Sequence, residues 1–174
     1  MEEDSCYENY PSWIPILSNS VSISIYIIGA YILLGFGILW SILYLIYCLV
    51  MEILVLKRSC VHCYYYGKIC AFGRGKLCSK LFKKGDPQKF IEREISWLDL
   101  LPDFMVIIIP IVSGIILLIL NFSWILLILL ILTFILFFVG TAAIRGSLAC
   151  KHCKQRELGC PAAKAFFKEN TDNK

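Results

Sequence analysis

The sequence predicts an all-α integral membrane protein with about three transmembrane helices and two cytoplasmic cysteine-rich knuckles related by an internal repeat. Three observations predict it. Hydrophobic residues make up 59% of the 174 and charged residues only 17%, against about 45–50% and about 25% in ordinary soluble domains. A core this small cannot bury that much apolar surface, so the surplus faces lipid; mean hydropathy is +0.73. All 17 Lys and Arg fall in two segments, ten from Lys57 to Arg93 and seven from Arg145 to Lys174. Each of those segments opens on the same cysteine pattern, "CVHCYYYGKIC" at Cys60–Cys70 and "CKHCKQRELGC" at Cys150–Cys160.

Residues 1–20 are expected to form an extracytoplasmic segment, because "MEEDSCYENY" carries no positive charge. No cleavable signal is expected: nothing basic precedes the first apolar run and no small-residue cleavage site follows it. Val21 to Met51 is 31 residues without a charge. A helix crosses a bilayer core in about 20 residues, so the run is too long for one upright span and too short for two with a loop. It is read as one tilted or protruding helix over residues 21–56. Gly35 and Gly37 are read as packing glycines, with a kink or a re-entrant turn as the other readings.

Residues 57–88 form the first knuckle. Residues 89–103 come next as an interfacial amphipathic helix, with Phe90, Ile91, Ile95, Leu98 and Leu101 at roughly helical spacing and Trp97 suited to the membrane boundary. Phe104 to Ile144 is a second uncharged run, of 41 residues. It divides at Asn121-Phe-Ser into spans 104–120 and 124–144, with Pro110 kinking the first. Residues 145–174 form the second knuckle and tail. Three spans put the termini on opposite sides and both basic segments on one side, which the positive-inside rule makes cytoplasmic. A two- or four-span arrangement is expected to separate the basic segments or leave an apolar run unexplained. The expected location is the cell membrane.

Both cysteine copies then face a reducing compartment, where metal binding or thiol chemistry is favoured over disulfides. Two cysteines three positions apart turn both sulfurs toward one ion, and ligands from the next turn close a tetrahedron. The first copy offers Cys60, Cys63, Cys70 and Cys78. The second offers Cys150, Cys153 and Cys160, because Ala162 aligns with Cys78; its fourth ligand could be His152, water or a group from the other copy. His62 and His152 sit between ligand cysteines, where the ring tends to point away from the ion and to serve as a donor to sulfur. Such sets suit Zn(II) or an iron–sulfur cluster, and spacing alone does not choose. The similarity runs on: Lys80–Lys84 aligns with Lys164–Lys168, so the unit read as duplicated is a span, a knuckle and a short basic amphipathic helix.

The pattern predicts a multi-pass metal-binding protein, used as a membrane-bound electron-transfer component. The alternatives are a non-enzymatic scaffold or assembly protein with structural zinc, and a membrane thiol oxidoreductase with Lys57, Arg58, Lys68, Lys151 or Lys154 beside the thiols. The expected partners are the bilayer, its anionic headgroups and a redox partner or other membrane subunits. "FGRGK" at Phe72–Lys76 lacks the full phosphate-loop spacing and reads as a turn whose amides could bond sulfur. No nucleic-acid fold signature is present. The uncharged runs Val21–Met51 and Phe104–Ile144 carry no acidic residue, which disfavours ion transport.

Overall fold

Pro11 and the polar residues after it do not delay the first helix. In the computed structural model, which describes residues 6–92 and 97–160 and the side chains of all of these except 97–99, α1 runs Trp13–Leu34. Pro15 is tolerated because it falls in the first turn, where no intrahelical donor is needed. Asn19 and Ser22 close their hydrogen bonds on the helix itself. Asn19 donates to the Pro15 carbonyl at 2.8 Å, Ser22 donates to Ser18 at 3.2 Å, and Ser18 is buried.

The chain reverses at Gly35-Phe-Gly37 and returns as α2, Ile38–Arg58. Gly37 has φ 119°, a conformation that L side chains rarely adopt, and it lets three residues close the turn. The two helices lie close: a Cβ on Gly29 would sit 2.6 Å from the Tyr44 hydroxyl oxygen. Ser41 donates across the pair to the Ala30 carbonyl at 2.9 Å.

α3 (Arg74–Leu81) and the single turn α4 (Gln88–Ile91) come after α2. α5 spans Trp97–Leu120, and α6 starts at Trp124. α6 is α-helical to Ile135 and continues through two π-helical stretches, Leu136–Gly140 and Ile144–Ala149. Pro110 removes the amide that would have bonded the Val106 carbonyl. The Tyr44 hydroxyl takes that carbonyl at 2.8 Å, and Tyr47 donates to the Pro102 carbonyl at 2.7 Å. These two tyrosines therefore tie α2 to α5, Tyr44 at the acceptor that Pro110 leaves free.

The result is two helical hairpins side by side, with α1 touching α2, α5 and α6. Both hairpin turns lie at one end, where Gly35 abuts Leu117. Tyr7, Tyr10 and both cysteine segments meet at the other. Among the described residues, four helices are long and apolar enough to cross a membrane: Trp13–Leu34, Ile38–His62, Leu100–Leu120 and Trp124–Ala149. Their outer faces expose large apolar side chains, such as Ile27, Ile38, Leu49, Ile119, Ile125 and Val139, which suits contact with lipid.

Two expectations change. The single helix over residues 21–56 is two helices, and Gly35 and Gly37 form the turn between them. The uncharged run begins at Asn9, not Val21, and spans 43 residues to Met51, nearly matching the second run of 41. Counting serines and Asn19 as non-membrane conceals this. The second change concerns the N-terminal segment, expected opposite the knuckles; it packs on them. An added helix ahead of the first knuckle brings residues 6–12 to the knuckle end and leaves both cysteine segments together, so a four-helix arrangement does not separate them. The interfacial helix expected over 89–103 falls partly on residues 93–96, outside the described residues. So does the basic helix expected after Cys160.

Candidate metal-binding cap

Each cysteine segment begins where a long helix ends, and the two backbones then take the same course. After Ser59, a 3₁₀ turn at Cys60–His62 brings the Cys63 amide to the Cys60 carbonyl at 3.3 Å. After the π turn that closes α6, the Cys153 amide meets the Cys150 carbonyl at 3.4 Å. One step on, Tyr66 bonds back to Cys63 at 3.1 Å and Arg156 to Cys153 at 3.0 Å. Cys-x-His-Cys is thus a tight turn in both places, as sulfur ligation of one ion requires.

The first segment continues into α3. A Cβ on Gly75 would lie 2.1 Å from the Tyr65 carbonyl, so only glycine lets the first turn of α3 reach the Tyr65–Lys68 loop. That seat places the Gly75 amide 3.4 Å from Cys70 Sγ, the amide-to-sulfur bond expected of this turn. Cys78, fully buried on α3, points its thiol at the Leu56 carbonyl 3.6 Å away. Cys60 lies within electrostatic range of Cys70, Cys78 and Cys63.

The segments meet. The Tyr64 amide donates to Gln155 Oε1 at 2.7 Å, and the Lys154 amide donates to the Tyr65 hydroxyl at 3.1 Å. Lys68 and Lys154 both stand over the Tyr64 ring, 4.3 and 5.6 Å from its centroid. "YYY" therefore joins the two copies, and Tyr66 donates to the Phe82 carbonyl at 2.6 Å to hold α3.

A strap formed by residues 6–12 binds both segments. Tyr7 donates its amide to the His152 carbonyl at 3.0 Å and accepts from the Tyr65 hydroxyl at 2.6 Å. Tyr10 donates its amide to the Ile69 carbonyl at 3.0 Å and its hydroxyl to the Ala149 carbonyl at 2.6 Å. Tyr10, Ile14, Tyr65, Ala71 and Ala149 form the buried core beneath, with Cys63, Cys70 and Cys153 against it. Sequence reasoning misses this strap because a segment with no basic residue is expected at the other end. It also misses Glu52, 2.6 Å from Arg74 and 2.7 Å from the Tyr26 hydroxyl. That pair anchors α3 to α1 and α2, and its one visible signal is an acidic residue closing an apolar run.

None of the nine cysteines is in a disulfide. Burial pushes the Cys63 thiol up to about 12, against a hydrogen bond from the Tyr65 amide, and the nearby Cys153, Cys70 and Cys160 sulfurs push the same way. Burial also raises Cys78, Cys150 and Cys153. Thiols in this condition are protonated at neutral pH and are poor nucleophiles. The two histidines differ. His62 Nδ1 lies 2.9 Å from the Asp86 carbonyl. His152 stacks on Tyr7 with ring centroids 4.8 Å apart, and its Nδ1 is buried without a hydrogen-bond partner.

The seven candidate cysteines are gathered in one cap but not closed on a single point: among the described residues no three His, Cys, Asp or Glu side chains form an ion-holding group. Compared with protein-family models, with curated proteins and with solved structures, the chain matches none at a significant level.

Proposed function

We propose that the chain is a four-helix membrane protein whose two Cys-x-His-Cys segments bind metal, as zinc or an iron–sulfur cluster, in one cap at the cytoplasmic face. The observation that carries the reading is the meeting of the two segments. Two stretches ninety residues apart in sequence adopt the same turn, and their thiols share one body. We read them as copies of one duplicated unit, now a helical hairpin followed by a cysteine turn. The donor set is sulfur with a histidine in each turn, which favours zinc or iron over hard cations.

The cytoplasmic assignment rests on charge. No Lys or Arg occurs before Lys57 or between Phe104 and Ile144, so both hairpin turns lack them while the cap end is basic. That is the positive-inside pattern, and the cap's lysines would meet anionic headgroups. Catalytic thiol exchange is the weaker use, because its nucleophile must be accessible and activated, and these thiols are half-buried or buried. An iron–sulfur occupant would make the cap an electron carrier for a redox partner; zinc would make it a scaffold.

Anaerobic purification in detergent, with a visible spectrum and zinc and iron content, tests the reading. A brown protein with iron, or a colourless one with about one or two zinc ions, supports it and selects between the two uses. A protein with neither metal, and with Cys63 and Cys153 alkylated rapidly in the native state, overturns it. A membrane-impermeant thiol reagent applied to intact cells is expected to spare Cys6 together with the cap cysteines. Labelling of Cys6 from outside would refute the sidedness.

A further inference from the structure

The helix α3, "RGKLCSKL", holds no acidic residue. Its inner side is Gly75 and Cys78, both buried. Two rows remain outside. Arg74, Leu77 and Leu81 stand at i, i+3 and i+7 on one flank, and Lys76 and Lys80 at i and i+4 form the other. Leu77 is 49% exposed and Leu81 59%. Lys76 and Lys80 are exposed, as are Lys83 and Lys84 just beyond the helix. Isolated exposed leucines are ordinary on a water-facing surface; the level of these two is what makes them informative. Arg74, at the head of the leucine flank, reaches Glu52 at 2.6 Å. Glu52 lies six residues before the end of α2 at Arg58, and so about 9 Å inside it. Cys78 meets the Leu56 carbonyl at 3.6 Å. Around that depth α2 exposes Leu49, Val50 and Ile53, so α3 runs beside the last apolar turns of the helix. The flank that holds Arg74 and the leucines is the one turned to the body of α2, and the lysine flank is turned away from it.

We infer that α3 is an interfacial foot: Leu77 and Leu81 enter the apolar edge of the cytoplasmic leaflet, and Lys76 and Lys80 meet the phosphates of anionic phospholipid above them. This rests on the membrane reading and the sidedness proposed above, and not on metal. A helix with apolar residues on one flank and lysines on the other lies in the plane of the interface, and lysine stems run along apolar surface while their charge stays among the headgroups. The partner is anionic because nothing within α3 balances its lysines, and the nearby Glu52 carboxylate is already taken by Arg74. Lipid then bears on the cap. α3 carries Cys78, so the leaflet helps to hold the fourth cysteine of the first segment against α2.

A photoreactive diazirine side chain placed in turn at Leu77, Leu81 and Leu49 tests this, with the full chain in nanodiscs of mixed phosphatidylcholine and phosphatidylglycerol and the adducts identified by mass. Leu49, 61% exposed on α2, reports on the span. Probes at Leu77 and Leu81 are expected to capture phospholipid, with phosphatidylglycerol enriched over its share of the disc by about fivefold for each lysine that meets the surface. Lys76→Gln combined with Lys80→Gln should remove that enrichment, and Lys76→Arg combined with Lys80→Arg should keep it. Lipid captured at Leu49 with only water adducts at Leu77 and Leu81 overturns the foot and leaves the membrane reading standing. Phospholipid captured without enrichment, or enrichment that survives the double glutamine variant, overturns the anionic partner. Capture of a second copy of the chain overturns the lipid contact and makes the face a protein interface. Water adducts at all three positions overturn the membrane reading itself.

Discussion

The first cysteine segment hands its chain to α3, an eight-residue helix that carries Cys78 to the end of α2 and is pinned there by Arg74 on Glu52. The second segment runs through one short helical turn, Lys154–Glu157, and is held by the N-terminal strap through Tyr7 and Tyr10. The turn over four residues is the same in both, so the Cys-x-His-Cys sequence sets it locally. Beyond that turn the two chains diverge, and so does their means of support. The strap bonds both copies, and among the described residues the first is supported by its own downstream helix as well. A repeat can keep its local geometry while its copies depend on different neighbours.

The comparison breaks most sharply at Gly75. Gly75→Val puts side-chain carbon into the Tyr65 carbonyl and is expected to destabilise the first segment by about 3 kcal/mol, the upper range for overpacking. Alkylation of Cys70 and Cys78 should accelerate far more than that of Cys153. Equal acceleration would mean that the cap unfolds as one unit and that the copies are not separately supported. Tyr10→Phe tests the converse. It leaves the buried Ala149 carbonyl without its hydroxyl donor, for a cost of about 1–2 kcal/mol, and should expose Cys150 and Cys153 before Cys60. Protease protection or cysteine labelling by mass spectrometry reads both.

Glu52→Gln is a milder probe of the first copy. The ion pair with Arg74 is about a quarter exposed on each side chain, so solvent screening limits its loss to about 1 kcal/mol. The effect should shrink further in high salt. A salt-independent loss would mean that the Tyr26 hydrogen bond, and not the charge, carries the contact.

The metal-free cap should also respond to alkali. A thiol raised by folding favours the protonated, folded chain. The stabilisation from Cys63 is therefore whole below the ordinary thiol value of about 9 and is lost as pH rises through about 12. Bound metal removes that proton, so metal-loaded protein should lose this alkaline transition. Unfolding monitored from pH 8 to 12, with and without zinc, reads the signal most specific to the thiols.

Much of this is legible in the residues. Uncharged runs of forty or so residues predict lipid-facing helices because burying a charge in hydrocarbon is costly. Asn121-Phe-Ser marks a turn because polar side chains interrupt the apolar run there. The Cys-x-His-Cys turn comes from its spacing. The first hairpin is not legible in the same way, although Gly35 and Gly37 are visible. Whether glycine packs, kinks or turns depends on its surroundings: Gly35 abuts Leu117 of α5, while Gly37 has open space and turns the chain at φ 119°. Serine and asparagine in α1 mislead for a related reason. Their cost in a membrane depends on whether their hydrogen bonds close within the helix, which composition does not record.

The helical, membrane-suited character of the chain and the local form of each cysteine turn are therefore properties of the residue order alone, since side-chain polarity and short-range spacing are enough to produce them. Other features belong to the assembled fold. Tyr7 and Tyr10 bridge the two copies, Cys6 lies beside the second, and the Val106 carbonyl, orphaned by Pro110, finds its donor in Tyr44. Those contacts join residues dozens of positions apart. No local preference encodes them, and they exist only once the two hairpins lie side by side with both open ends facing the same way.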